Sequence, residues 1–165
     1  MSPTLCRTRN SRLESSCAVC ATTRAIELLY RYIGSRLRPH RGEPTARAEK
    51  WLAEHGGDTK LISWWVEVEW SSAISMKVDN ATLDQDGRIL VDSAFHQLVG
   101  ASFISIPVEH SHFTAASDLA SRSNGLRAGD ALHLAIAASQ DATLCTLDVG
   151  MARAAEGLGL CVSAI

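Results

Sequence analysis

Three acidic residues of this chain lie in sequence contexts where a carboxylate could take part in catalysis. Asp130 separates a small polar loop from a run of apolar helix formers in LRAGDALHLA, residues 126–135. Asp148 follows the apolar run TLCTL, and Glu69 lies in the helical pattern VEVEWSSAI. Two carboxylates about 4 Å apart repel by roughly 4 kcal/mol at an effective dielectric near 20. A cluster of these acids would therefore need a cation, and an all-oxygen site suits Mg²⁺, with Mn²⁺ as a substitute.

Such an ion would serve phosphodiester hydrolysis, because it activates a water, polarises the phosphoryl group and stabilises the leaving oxygen. Each acid also has a simpler interpretation. Asp130 and Asp148 could each cap a helix by accepting backbone N–H bonds. Glu69 could be a solvated helix residue, and Glu67 is an equal candidate for any role. His133, three positions after Asp130, either packs in the core or forms a hydrogen bond.

The elements that must position these acids alternate along the chain from residue 44 onward. We predict helices over 44–55, 66–78, 82–99, 109–121, 130–139 and 149–156, and strands over 60–64, 103–108, 143–147 and 160–162. Alternating strands and helices with short connections favour a parallel sheet with helices on both faces. Ligands of such sheets bind beyond the carboxyl ends of the strands. The predicted fold class is therefore α/β.

The first 43 residues do not share this pattern. They are rich in Arg and Ser, and AIELLYRYI, residues 25–33, is the one stretch among them with strand or helix potential. We therefore divide the chain into a divergent segment, 1–43, that is disordered or disturbed in its reading frame, and an α/β domain, 44–165.

Composition excludes several classes of protein. The chain has 165 residues, of which 46% are hydrophobic and 21% charged, with a formal net charge of −2. No global basic field indicates nucleic-acid binding, so any such binding must use a local patch. We see no run long enough to span a bilayer and no secretory h-region. We therefore expect a cytoplasmic protein without a membrane partner, in which Cys145 and Cys161 are reduced.

The segment LRAGDALHLAIAASQDATLCTLD resembles the C-terminal half of PIN domains, especially VapC-type toxins of toxin–antitoxin pairs. SWWVEVEWSSAI, residues 63–74, resembles the family's pattern of serine, spacer, glutamate and alanine, and it matches Glu69 rather than Glu67. EPTARAEKWLAEHGGD resembles the family's first helix. The resemblance covers about residues 43–165.

The resemblance implies a three-layer α/β/α fold with a central parallel sheet and a Mg²⁺-dependent endoribonuclease toxin. The family's acidic metal cluster carries over to Glu69, Asp130 and Asp148, and Thr146 matches a hydroxyl position that supports the site. The resemblance further implies an RNA substrate, a small cognate antitoxin that covers or enters the active site, and a homodimer. Arg127 is either a phosphate contact or a solvated side chain.

The resemblance fails at the family's first motif, where the first strand ends in a metal-binding aspartate. The nearest match, Tyr32-Ile33-Gly34-Ser35, has Gly34 at that position, and Glu27 has a context that does not match. We therefore predict weak metal binding and low or absent nuclease activity. One alternative is a catalytically inactive PIN-fold module that binds an antitoxin or RNA. Another is an unrelated small α/β domain whose acids are only helix caps.

Overall fold

A parallel sheet forms the centre of the protein. The computed structural model describes residues 20–22, 50–123 and 125–164. The strands are β1 (Cys20–Thr22), β2 (Lys60–Ser63), β3 (Ile104–Ile106), β4 (Thr143–Thr146) and β5 (Val162–Ala164). They form one five-stranded sheet in the order β3-β2-β1-β4-β5, and each neighbouring pair is parallel. The predicted α/β class with a central parallel sheet is confirmed.

The helices that connect these strands follow the predicted pattern. They are α1 (Trp64–Asp79), α2 (Gln85–Ser102), α3 (His110–Arg122), α4 (Ala128–Ser139) and α5 (Val149–Gly157), and residues 50–54 are also helical. α2 begins later than the predicted residue 82, because the Asp84 side chain accepts a hydrogen bond from Gly87 N–H at 2.7 Å and so caps the helix there. β5 lies two positions later than predicted.

Side chains that alternate along the strands give the sheet two apolar faces. In β2, Ile62 packs in a cluster with Trp70 of α1 and Phe95 of α2. Leu61 belongs to a second cluster with Leu134 of α4 and Leu144 of β4. α3 packs against α4 in a further cluster. Helices therefore cover both faces, which confirms the three-layer arrangement.

β1 comes from the segment 1–43 that the sequence pattern set apart. It lies between β2 and β4, with Cys20 aligned with Lys60 on one side and with Thr143 on the other. β1 ends at Thr22, whereas the nearest match to the family's first motif, with Gly34 at the position of the aspartate, lies later in the sequence. Gly34 and Glu27 lie outside the described residues, and the division at residue 43 stays a prediction.

Two further predictions concern membranes and cysteines. In the part of the chain that the structure describes, every helix is too short or too polar to cross a membrane.

Cys145 is free and buried, as expected. Cys161 is disulfide-bonded, so the prediction that it is reduced is wrong.

Candidate functional site

β2 and α1 bring Glu69 to the carboxyl edge of the sheet. β2 ends at Ser63 and α1 begins at the next residue. Val66, Trp70 and Ile74 bury one side of α1 in the core. Glu69 lies beside this buried side and its side chain is only 26% exposed, whereas Glu67 points to solvent. Of the two glutamates, Glu69 is therefore the one held against the protein.

The carboxylate of Glu69 lies along the first turn of α4. Its Oε2 atom is 2.8 Å from Nε2 of His133. A Cβ atom added at Gly129 would lie 3.3 Å from its Oε1 atom. Gly129 and His133 are about one helical turn apart, and Asp130 belongs to the same turn. The fold thus brings Glu69 beside the helical turn that carries the second acid.

His133 both packs in the core and forms a hydrogen bond. Its side chain is 3% exposed, within a run of α4 that is buried from Ala131 to Ala137. His133 was not among the predicted site residues. The signal that could have identified it is a polar residue inside an otherwise apolar run, since a buried polar group requires a partner.

Asp130 lies in the first turn of α4, after the N-cap residue. The helix begins at Ala128 with Arg127 as its N-cap, and the Arg127 side chain makes no capping bond. Asp130 is the third helical residue and therefore not the N-cap residue, while its acceptance of backbone N–H bonds stays a prediction. A carboxylate in the first turn of a helix is stabilised by the positive end of the helix dipole. Arg127 is exposed at the same end of the helix.

Asp148 caps α5, as one interpretation of the sequence predicted. Its Oδ1 atom accepts hydrogen bonds from Gly150 N–H at 2.7 Å and Met151 N–H at 3.1 Å. Thr146 is buried, and its hydroxyl oxygen accepts a hydrogen bond from Asp148 N–H at 3.0 Å. The hydroxyl therefore fastens the turn between β4 and α5. A role of Asp148 as a metal ligand stays a prediction.

Two substitutions of Asp148 distinguish the contribution of its capping hydrogen bonds from the contribution of its negative charge. We expect Asp148→Ala to lower the free energy of unfolding by about 1 kcal/mol, because the two amide groups lose their acceptor. Asp148→Asn keeps an oxygen that can accept both bonds and should stay close to the parent protein. Urea denaturation of the three proteins measures the difference. Equal stability of the alanine variant and the parent would contradict the capping role.

The described residues do not form a complete metal site. Across residues 50–123 and 125–164, no three or more Asp, Glu, His or Cys side chains are grouped so that they could hold an ion. Glu69 lies beside the turn that carries Asp130, while one oxygen of Asp148 accepts two amide hydrogens. Carboxylates suit Mg²⁺ chemically. Mg²⁺ is usually held by one or two carboxylates together with waters, so Glu69 and Asp130 fit it as partial ligands.

Comparison with known proteins agrees with this architecture. A family model described as PIN domain matches residues 36–157. The search of curated proteins found no significant match. The crystal structure of FitAcB from Neisseria gonorrhoeae is similar, with a TM-score of 0.64 and 17% identity over 87% of this chain and 95% of that one.

Two structures solved with DNA are also similar. FitAB bound to an IR36 DNA fragment has a TM-score of 0.60 and 16% identity over 88% of this chain and 94% of that one. VapBC2 from Rickettsia felis, bound to a DNA fragment from its promoter, has a TM-score of 0.58 and 13% identity over 89% and 98%. The TM-scores establish a shared fold, and at identities this low the similarity shows the fold alone.

Proposed function

We propose, from the premise that this chain belongs to the PIN domain family, that it is an endoribonuclease toxin of a toxin–antitoxin pair. It would hydrolyse RNA phosphodiester bonds in the presence of Mg²⁺ or Mn²⁺, with reduced activity. The observation that carries the proposal is the position of Glu69 against α4, because it brings together two acidic elements that are distant in sequence.

The partner follows from the structural neighbours and from the VapC-like motifs. One neighbour is a VapBC2 assembly on DNA, and two others are FitAB assemblies. We therefore infer that this chain binds a small cognate antitoxin and forms a homodimer. The location in the cytoplasm remains part of the same proposal.

The residues at the carboxyl edge of the sheet have separate roles in this proposal. Glu69 and Asp130 would hold a divalent ion near the scissile phosphodiester, and the ion would supply the means to activate water there. Arg127 is exposed at the start of α4, where it can contact an RNA phosphate. Thr146 and Asp148 hold the turn at the end of β4.

Reduced activity follows from the loss of the first acidic ligand, because Gly34 stands at the position of the family's first-motif aspartate. An ion that lacks this ligand would be bound weakly and loosely oriented. A displacement of about 1 Å can lower an enzymatic rate by about 100-fold. We therefore expect slow cleavage that requires high protein concentration.

Cleavage of a mixed small-RNA pool tests the proposal. We expect slow cleavage by the purified protein with Mg²⁺ or Mn²⁺, and none with Asp130→Asn or after addition of a chelator. Circular dichroism of both proteins verifies that they are folded. If the folded parent protein does not cleave RNA with either ion, the nuclease proposal is wrong. RNA or antitoxin binding without cleavage would then support the inactive binding module.

A further inference from the structure

We infer that His133 is a positioning residue that fixes the orientation of the Glu69 carboxylate for RNA cleavage. The inference rests on the proposed function, because it assigns a task to Glu69 at the site of cleavage. The contact itself is a hydrogen bond of 2.8 Å between His133 Nε2 and Glu69 Oε2. Its donor lies on α4 and its acceptor on α1.

The two oxygens of Glu69 lie beside opposite ends of one helical turn. Oε2 contacts His133, and Oε1 lies where a Cβ atom at residue 129 would be 3.3 Å away. Gly129 therefore leaves the space that the second oxygen occupies. The hydrogen bond at Oε2 and the space at Gly129 for Oε1 together favour one orientation of the carboxylate relative to α4, and thus relative to Asp130 on the same turn.

Solvation alone does not explain this hydrogen bond. The Glu69 side chain is partly exposed, so water can satisfy its charge without a protein partner. His133 is almost fully buried, and burying a polar ring costs free energy that a leucine at the same place would not cost. A leucine would therefore pack at this position at a lower cost in free energy than the imidazole ring. What the ring supplies and a leucine cannot is the N–H group directed at Glu69.

A second buried histidine shows what a structural role looks like in this protein. His112 Nδ1 accepts a hydrogen bond from Glu109 N–H at 3.0 Å, which forms part of the cap of α3. Its Nε2 atom lies 2.9 Å from the hydroxyl of Ser139, which donates to the Ile136 carbonyl, so the ring donates to Ser139. His112 thus links α3 to α4 through backbone and hydroxyl groups, whereas His133 contacts a carboxylate at the carboxyl edge of the sheet.

Two substitutions at His133 separate positioning from packing. His133→Leu keeps an apolar side chain of suitable size and removes the donor, while His133→Gln keeps an N–H donor. Groups that orient a catalytic or ligating side chain typically change affinity or activity by about 10–100-fold when they are removed. We expect the leucine variant to lower the single-turnover cleavage rate by about this factor with unchanged RNA affinity, and the glutamine variant to restore most of the rate.

Nuclear magnetic resonance tests the orientation of Glu69 without relying on cleavage. In protein with ¹³C-labelled glutamate, the Glu69 carboxyl signal is assigned by its loss in Glu69→Gln. We expect His133→Leu to move this signal to the position of solvent-exposed glutamates. His133→Gln should keep it near its original position. His112→Gln, a matched change of a buried histidine, should leave it in place.

The outcomes separate this inference from the proposed function. An unchanged Glu69 signal in a folded His133→Leu protein overturns the positioning role. Equal losses of rate in the leucine and glutamine variants also overturn it. If the parent protein is folded but cleaves no RNA, the proposed function is wrong, and the carboxyl signal alone decides whether His133 orients Glu69.

Discussion

Glu69→Gln is expected to lower the rate of RNA cleavage by about 100-fold, the size of loss that a misplaced group at a reacting centre produces. Glutamine has the same length and shape, and its amide oxygen can still accept the hydrogen bond from His133. The substitution therefore removes the negative charge and leaves the packing of α1 unchanged. Single-turnover cleavage of a fluorescent RNA with Mn²⁺, at protein in large excess, measures the slow rates expected of this chain.

Glu67→Gln is the matched control, because Glu67 lies two positions earlier on the same helix and points to solvent. Loss of the Glu67 charge should change the rate constant of cleavage and the equilibrium constant of unfolding by no more than about twofold, as is usual for exposed positions. Equal losses in the two variants would contradict the assignment of Glu69 and would indicate that the charge of α1 as a whole matters.

The fold class could be predicted because its signal is repeated along the chain. Helix-forming segments alternate with short strand-forming runs from α1 to β5, and the buried residues of α2 recur with helical period at Val91, Phe95 and Val99. β1 could not be predicted in this way. It lies in the segment that lacks the alternating pattern, and its place in the sheet depends on pairing with β2 and β4.

The acidic residues of the candidate site could be predicted from the sequence, but the contacts between them and their neighbours could not. The boundary between a polar loop and an apolar run located Asp130, but α4 begins two residues earlier, since Ala128 and Gly129 are helical and Arg127 is the N-cap. The contact between Glu69 and His133 joins residues that are far apart in sequence. Local patterns carry no information about such a pair, which depends on how α1 and α4 pack around the sheet.

The largest loss of stability is expected from Trp70→Ala. Trp70 is 1% exposed and stacks on Phe95, with ring centroids 4.3 Å apart. Its indole N–H donates a hydrogen bond of 2.8 Å to Oδ1 of Asp92. Removing a buried tryptophan side chain typically lowers the free energy of unfolding by about 3–5 kcal/mol, because apolar contacts are lost and a cavity remains. Urea denaturation measures this loss.

Two further tryptophan variants show which contact matters. Trp70→Phe keeps an aromatic ring against Phe95 and removes the donor to Asp92, so it should cost less than the alanine variant. Trp64→Ala, at the exposed start of the same helix, should change the free energy of unfolding by no more than about 0.5 kcal/mol. Since Trp70 adjoins Glu69, the burial of Trp70 anchors the part of α1 that presents the carboxylate to α4. A Trp64→Ala protein that loses as much stability as Trp70→Ala would contradict this account of how α1 is held.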